Sequence, residues 1–490
     1  MPLLPASPPP VPHSGAVSTS ADSAPTASTE PASTAPGAGL LIRASRALVD
    51  GRIGPAAILV RGDRIAGVLP VDTPGDGTAE HVVGPDLVVL PGLVDSHVHV
   101  NDPGRTDWEG FPTALRAAAA GGVTTIVDMP LNSIPPTTTP EALELKRAAV
   151  GVPLIDVGFW GGAIPSSLGK LDALRDNGVF GVKSFLSPSG VDEFPALDPD
   201  QFAAMMTECA RLDLLAIVHA EDPELLTGGD RPLGHHYRPF LNSRPPVAET
   251  SAVARVIAEA RRTGARAHVL HVSSGDAVDM IRAARADGVR ITAETCPHYL
   301  FFDPADIPDS ATVFKCCPPI RGGDDRDHLW EAVVSGDIMA IVSDHSPSTR
   351  ELKDRGDGDF GLAWGGIASL QLAFSASWTA ARGRGISLET LLPRHTTGPA
   401  DLAGVVDVGE IRAGALANLI EFAPDEVHRV DAARLEHRNP LTAYNGEDLY
   451  GVVHRTMVRG EVVYDTAGAD PFTGAHPGRL ITPVVRTPAA

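Results

Sequence analysis

Six side chains of this 490-residue chain, far apart in sequence, are of types that hold metal ions or move protons: His97, His99, Lys183, His219, His271 and Asp344. His97-Val98-His99 has an i, i+2 spacing, which on a β-strand turns both imidazoles to one face and lets them reach one ion. Taken alone, the same spacing also fits a polar strand end. Imidazole and carboxylate suit zinc and its first-row neighbours. Lysine is the odd member, since an ammonium repels a metal. Lys183 either pairs with a carboxylate at the rim or loses its charge beside dications and takes up carbon dioxide, giving a carbamate whose two oxygens bridge two metals. Two ions about 3.5–4 Å apart would lower the pKa of a bridging water towards about 7, and one would polarise a substrate carbonyl. Asp344 would bind one metal, take a proton from the water and hand it to a leaving nitrogen, general acid–base work worth roughly 10²–10⁴-fold.

The elements that must position these groups show in the hydrophobic pattern. From Leu93 to about Gly385 a short apolar strand is followed by a helical stretch, eight times over. The expected strands end at Val100, Met129, Gly161, Leu186, His219, Ser273, Thr295 and Ser343, with helices over 109–120, 140–150, 201–212, 252–262, 277–286 and 326–334. Such alternation predicts a parallel α/β sheet. Eight units fit a closed (β/α)8 TIM barrel over 93–395 better than the alternative, an open doubly wound sheet. In barrels of this kind the active site lies at the carboxyl ends of the strands, where the six residues fall. Short β-type runs in 39–92 return in 396–490, and the simplest architecture joins both chain ends in one small β-sandwich domain. Residues 1–38, almost entirely Pro, Ser, Thr and Ala, read as a disordered leader without the features of a signal peptide.

Composition narrows the function classes. With 40 Lys+Arg against 61 Asp+Glu, the net charge is −21, which argues against nucleic-acid or anionic-membrane partners. No apolar run reaches the roughly 18–20 residues of a membrane helix. The four cysteines, Cys209, Cys296, Cys316 and Cys317, contain no CxxC pair, so neither a disulfide framework nor a structural zinc site is expected. A reducing cytoplasm is the expected compartment.

At this point the residues carry a resemblance. Pro91-Gly92-Leu93-Val94-Asp95-Ser96-His97-Val98-His99 resembles the opening motif of the cyclic amidohydrolases, within the amidohydrolase superfamily. The stretches 100–111 and 121–133, Lys183-Ser184-Phe185-Leu186, His268-Val269-Leu270-His271-Val272-Ser273-Ser274, Glu294-Thr295-Cys296-Pro297-His298-Tyr299, Pro318-Pro319-Ile320-Arg321 and Ser343-Asp344-His345-Ser346-Pro347 continue it in order, in a form similar to the allantoinases. The resemblance spans about 39–485. It implies a TIM barrel with a β-sandwich, a homotetramer, and hydrolytic ring opening of allantoin to allantoate in purine degradation. It further implies that His97, His99 and Asp344 hold one metal, that His219 and His271 hold a second, and that Lys183, as N6-carboxylysine, bridges two divalent ions, zinc being the first choice. Relatives that act as scaffolds have lost such ligands, whereas all six positions here keep a competent one.

Substrate contacts rest on the same resemblance. Dihydroorotases place Arg where this chain has Asn101, and Asn lacks the charge-assisted fork a carboxylate-bearing ring would need. Asn101 either meets an uncharged ureide or caps a turn. Hydantoinases and dihydropyrimidinases, the alternative reading, carry a Tyr shortly after the bridging lysine; Ser184 or a metal would take its oxyanion role here. Cys317 occupies a position whose main chain meets the substrate amide in hydantoinase-like relatives, so it reads as an inert buried thiol. Gly365 and Gly366 form a possible second backbone clamp or only a helix entry. His235-His236 lie in a long segment read as a lid or a solvated loop, and His298 follows strand seven where it could shape the pocket.

Overall fold

The computed structural model describes residues 39–229 and 231–484, so the expected leader at 1–38 lies outside the described residues. Eight parallel positions make the barrel: Leu93–Val98, Val123–Asp128, Asp156–Phe159 continued by Gly161–Gly162, Val182–Phe185, Ala216–His219, Ala267–Val269, Ile291–Thr295 and Ala340–Ile341. The first three pair in order, as do those from Gly161–Gly162 to Ala340–Ile341. A parallel bridge from Val98 to His345 closes the ring, reinforced where the His99 N–H donates to the His345 carbonyl at 2.8 Å. Every residue of Leu93–Val98, Val123–Asp128, Val182–Phe185 and Ala216–His219 is buried, as expected of parallel strands covered by helices on one face and packed on themselves on the other.

The helix expected from 109 starts at Phe111 and the one expected from 140 at Pro140, while others start a few residues early. The helix expected from 201 runs Pro199–Leu212: Asp198 and Gln201 form a reciprocal capping box and Pro199 takes the first turn. The helix expected from 252 runs Pro246–Thr263, begun by proline and ended by Gly264 in a left-handed conformation.

The remaining strands form one eight-stranded sheet that draws on both sides of the barrel in sequence. Leu40–Val49, Arg52–Arg61 and Arg64–Leu69 lie on one side, Leu419–Arg429, Asp448–Val458 and Glu461–Asp465 on the other. The join is antiparallel, Val88–Pro91 against Leu419–Phe422, with Leu419 opposite Pro91. Ile42, Ile58, Ile65, Val89, Leu419 and Met457 pack a small core of their own on this sheet. Among the described residues no helix is long and apolar enough to cross a membrane.

Candidate metal centre

All six side chains singled out by type converge at the carboxyl ends of the barrel strands, and all are buried. His97 lies within the first strand, Lys183 within Val182–Phe185, and His219 ends its strand. His99, His271 and Asp344 fall just beyond theirs. The strands expected to reach Val100, Ser273 and Ser343 stop at Val98, Val269 and Ile341. The chain turns out of extended geometry there, and Asn101, His271 and Asp344 take left-handed backbone at φ 65°, 36° and 43°. Three non-glycine residues held in this region around one site mark strain that the surrounding contacts must enforce.

His97 Nε2 lies 3.2 Å and His99 Nε2 3.5 Å from Asp344 Oδ1, and Lys183 Nζ is 3.4 Å from His97 Nε2. His219 Nδ1 faces His271 Nε2 at 3.0 Å. The His271 and His97 ring centroids, 5.4 Å apart, link the two groups. Phe185 stacks on His219 at 4.6 Å, beneath the Lys183 ammonium.

The donor chemistry fits cations. His99 Nδ1 sits 3.0 Å from the Leu131 carbonyl, which only accepts, so Nδ1 carries the hydrogen and Nε2 presents a lone pair to a carboxylate oxygen. Burial, then the Lys183 charge, pushes His99 down to about 4, so the ring stays neutral. His97 Nδ1 likewise lies 2.5 Å from Glu294 Oε1, turning Nε2 towards Asp344. Burial alone would raise the Asp344 carboxyl, but protons shared with the histidines packed around it hold it well below the usual range, so it stands as a carboxylate whose oxygen, beside neutral rings, meets lone pairs. Acceptors thus face acceptors, an arrangement that a positive ion between them resolves. On the other side His219 Nε2 meets Glu221 at 2.8 Å, leaving Nδ1 as the lone-pair nitrogen. Burial lowers both His219 and His271. Burial also lowers the Lys183 amine, to about 8.

A layer of buried carboxylates braces these groups, and sequence reasoning passed over most of it. Glu294 holds His97 with one oxygen, and its other oxygen lies 3.1 Å from His268 Nε2. Asp95 accepts from the backbone N–H groups of His97 at 3.0 Å and Ser343 at 3.1 Å, tying the first strand to the last. Glu249 accepts from the Ser273 and Ser274 backbone at 2.9 and 3.1 Å and fixes the turn that carries His271, and Arg321 bonds Ser273 Oγ at 2.9 Å. Arg244 donates to both oxygens of Glu221. The available signal was a charged residue at an inward strand position, as at Glu294 in Ile291–Thr295.

The expected substrate contacts fare differently. Asn101 is wholly buried; its Oδ1 accepts from Asn132 at 3.0 Å and its Nδ2 reaches the Pro347 carbonyl at 3.4 Å, so the side chain already serves the protein. Ser184 neighbours Lys183 on one strand and therefore points to the opposite face; its buried hydroxyl has no hydrogen-bond partner among the described residues. An oxyanion role for that hydroxyl does not fit. Gly366 cannot act as a free backbone clamp: its N–H donates to the Lys315 carbonyl at 2.8 Å and its carbonyl accepts from Lys353. Its φ of 110°, and a Ser346 carbonyl where a Cβ would stand, explain the glycine. Gly365 lies beside Cys317. Cys317 is only half-buried, unlike Cys209, Cys296 and Cys316, yet its packed surroundings push the thiol up, against thiolate formation. His236 pairs with Asp309 in solvent.

The amidohydrolase family signature matches residues 88–463. An allantoinase from Streptomyces avermitilis is 52% identical over 423 residues, covering 86% of this chain and 94% of that protein. An allantoinase from Saccharomyces cerevisiae is 44% identical over 386 residues, 77% of this chain and 83% of its own. Among solved structures, an L-hydantoinase (dihydropyrimidinase) from Arthrobacter aurescens superposes with a TM-score of 0.84 at 28% identity, over 90% of this chain and 99% of that one. The barrel, the site at its mouth and these likenesses agree: the chain belongs to the amidohydrolase family.

Proposed function

We propose that the protein opens the ring of allantoin by hydrolysis, giving allantoate, with two divalent ions, zinc in the first instance, at the barrel mouth. His97, His99 and Asp344 would hold one ion, His219 and His271 the other, and Lys183 as its carbamate would serve both. Held there, such ions would lower the pKa of a bound water and polarise a carbonyl. The chain's own groups do the rest. Asp344, held well below the usual carboxylate range and so ionised despite its burial, accepts the proton of the attacking water and returns it to the leaving ring nitrogen. Lys183, lowered to about 8 by burial, presents the free amine that carbon dioxide needs far more often than an ordinary lysine does. Glu294 and the Leu131 carbonyl fix the tautomers of His97 and His99.

The observation that carries this reading is the convergence of four imidazoles, one carboxylate and one buried lysine at one barrel mouth, in a chain 52% identical to an allantoinase. The absence of an arginine at position 101 supports an uncharged ring. The test is to supply metal-loaded protein with allantoin and follow allantoate. Turnover of allantoin in preference to hydantoin and dihydrouracil is the expected result. No allantoin turnover beside good hydantoin turnover would favour a hydantoinase-type enzyme, the reading that the L-hydantoinase likeness supports. Protein that purifies without stoichiometric metal and turns over none of these rings would instead be a scaffold.

Three coarser features belong to the same proposal. Residues 39–92 and 396–490 would make one small β domain, a sandwich by the family resemblance, around a barrel of 93–395, with the eight-stranded sheet as its frame. The four free cysteines suit a reducing cytoplasm. The homotetramer follows from the family resemblance, and light scattering on the purified chain tests it.

A further inference from the structure

A second cluster of metal-binding side chains adjoins the centre and uses two residues that the proposed reaction leaves idle. Glu294 and Cys296 are two residues apart at the end of the seventh strand, so they project to the same side; Glu294 meets His97 there. Cys296 is a free, fully buried thiol. Cys296, His298 and Asp344 each offer one donor atom, and these atoms all lie within 4.8 Å of one another. His298 is 0% exposed, and neither of its ring nitrogens has a hydrogen-bond partner among the described residues. A buried imidazole left unpaired carries a desolvation cost that a bound partner would relieve. A neutral imidazole keeps a lone pair on one nitrogen for such a partner.

We infer that Cys296, His298 and Asp344 form a third cation site, selective for thiophilic divalent ions such as cobalt, cadmium or excess zinc, and that filling it inhibits the enzyme. Sulfur, imidazole and carboxylate are donors that these ions accept together. On binding, the S–H bond breaks, a metal–sulfur bond forms, and the proton leaves to solvent. Inhibition follows because the third ion competes for the Asp344 carboxylate, which the proposed reaction uses both to hold one ion and to transfer the proton; only this half of the inference rests on the proposed function.

The test is a cobalt titration of the full-length, metal-depleted protein, read in the near ultraviolet for thiolate-to-cobalt charge transfer, a band that nitrogen and oxygen ligands do not give. The wild type should take up one further equivalent beyond the ions of the main centre, and the band should grow with it. Cys296→Ser and His298→Gln should each abolish the band, while Cys209→Ser and Cys317→Ser should leave it intact. No band in the wild type, or a band that survives Cys296→Ser, overturns the site; the His298 variant decides the matter should the cysteine variant fail to fold. With whichever cyclic amide is turned over fastest, Cys296→Ser should need about tenfold more cobalt for half-inhibition. Equal sensitivity of the two proteins would refute the inhibitory role. A protein that hydrolyses no cyclic amide would overturn the proposed function, while the band and the extra equivalent would still decide the site.

Discussion

The two halves of the proposed centre are built differently. On the His97–His99 side, each ring nitrogen turned away from Asp344 has a partner, Glu294 Oε1 for His97 and the Leu131 carbonyl for His99. On the His219–His271 side only one ring is braced: His219 meets Glu221, itself held by Arg244, whereas His271 Nδ1 has no partner among the described residues. The first half therefore presents fixed tautomers before any ion arrives, while the second gains much of its order from what binds. Orientation of a metal-binding imidazole by a carboxylate or carbonyl behind it accounts for this kind of asymmetry.

The comparison can be broken most drastically at the residue proposed to join the halves. Lys183→Ala should abolish activity, and short carboxylic acids added to the assay should restore part of it by supplying the missing bridge; full activity in the variant would end the bridging role. Asp344→Asn leaves both imidazoles of the first half in place but removes the proton acceptor, so kcat should fall by roughly 10²–10⁴-fold. Glu294→Gln and Glu221→Gln sharpen the contrast between the halves. Each should weaken metal binding by about 10–100-fold, measured by competition with a chelating dye. Because Glu294 braces the half proposed to be ordered in advance, its variant should lose the more; equal losses would remove the asymmetry.

A smaller effect separates the site from the rest of the buried histidines. His395 lies under the first strand, where its carbonyl accepts from the Val94 N–H at 2.9 Å, and burial pushes its ring from the ordinary 6.5 to about 3. Below 6.5 the unfolded chain takes up a proton that the folded chain refuses. Stability should therefore be full above about 6.5 and fall as the pH drops towards about 3, by at most about 1.4 kcal/mol per pH unit for this group. His395→Leu should flatten that slope in urea unfolding without altering metal content; an unchanged slope would show that the acid sensitivity originates elsewhere.

Much of this was legible in the sequence, for identifiable reasons. Strand–helix alternation is a local signal, and all eight barrel strands are present. The i, i+2 histidines needed only the strand period. Alternation also shows that Ser184 and Lys183 cannot share a face, a consequence that the resemblance to other amidohydrolases obscured. What local pattern could not supply was pairing over long separations: Leu419 opposite Pro91, Glu294 behind His97, Glu249 beneath the His271 turn. Nor could it supply the left-handed backbone just past the strand ends, at His271 and Asp344, since neither residue is the glycine that announces such a turn.

The central claim is that six converging side chains hold two cations, and the most direct measurement is elemental analysis of the purified chain after excess metal is removed. The account predicts two divalent ions per wild-type chain and a clear loss from the Lys183→Ala variant. A wild type that is active without bound metal, or a Lys183→Ala variant that keeps both ions, would contradict it.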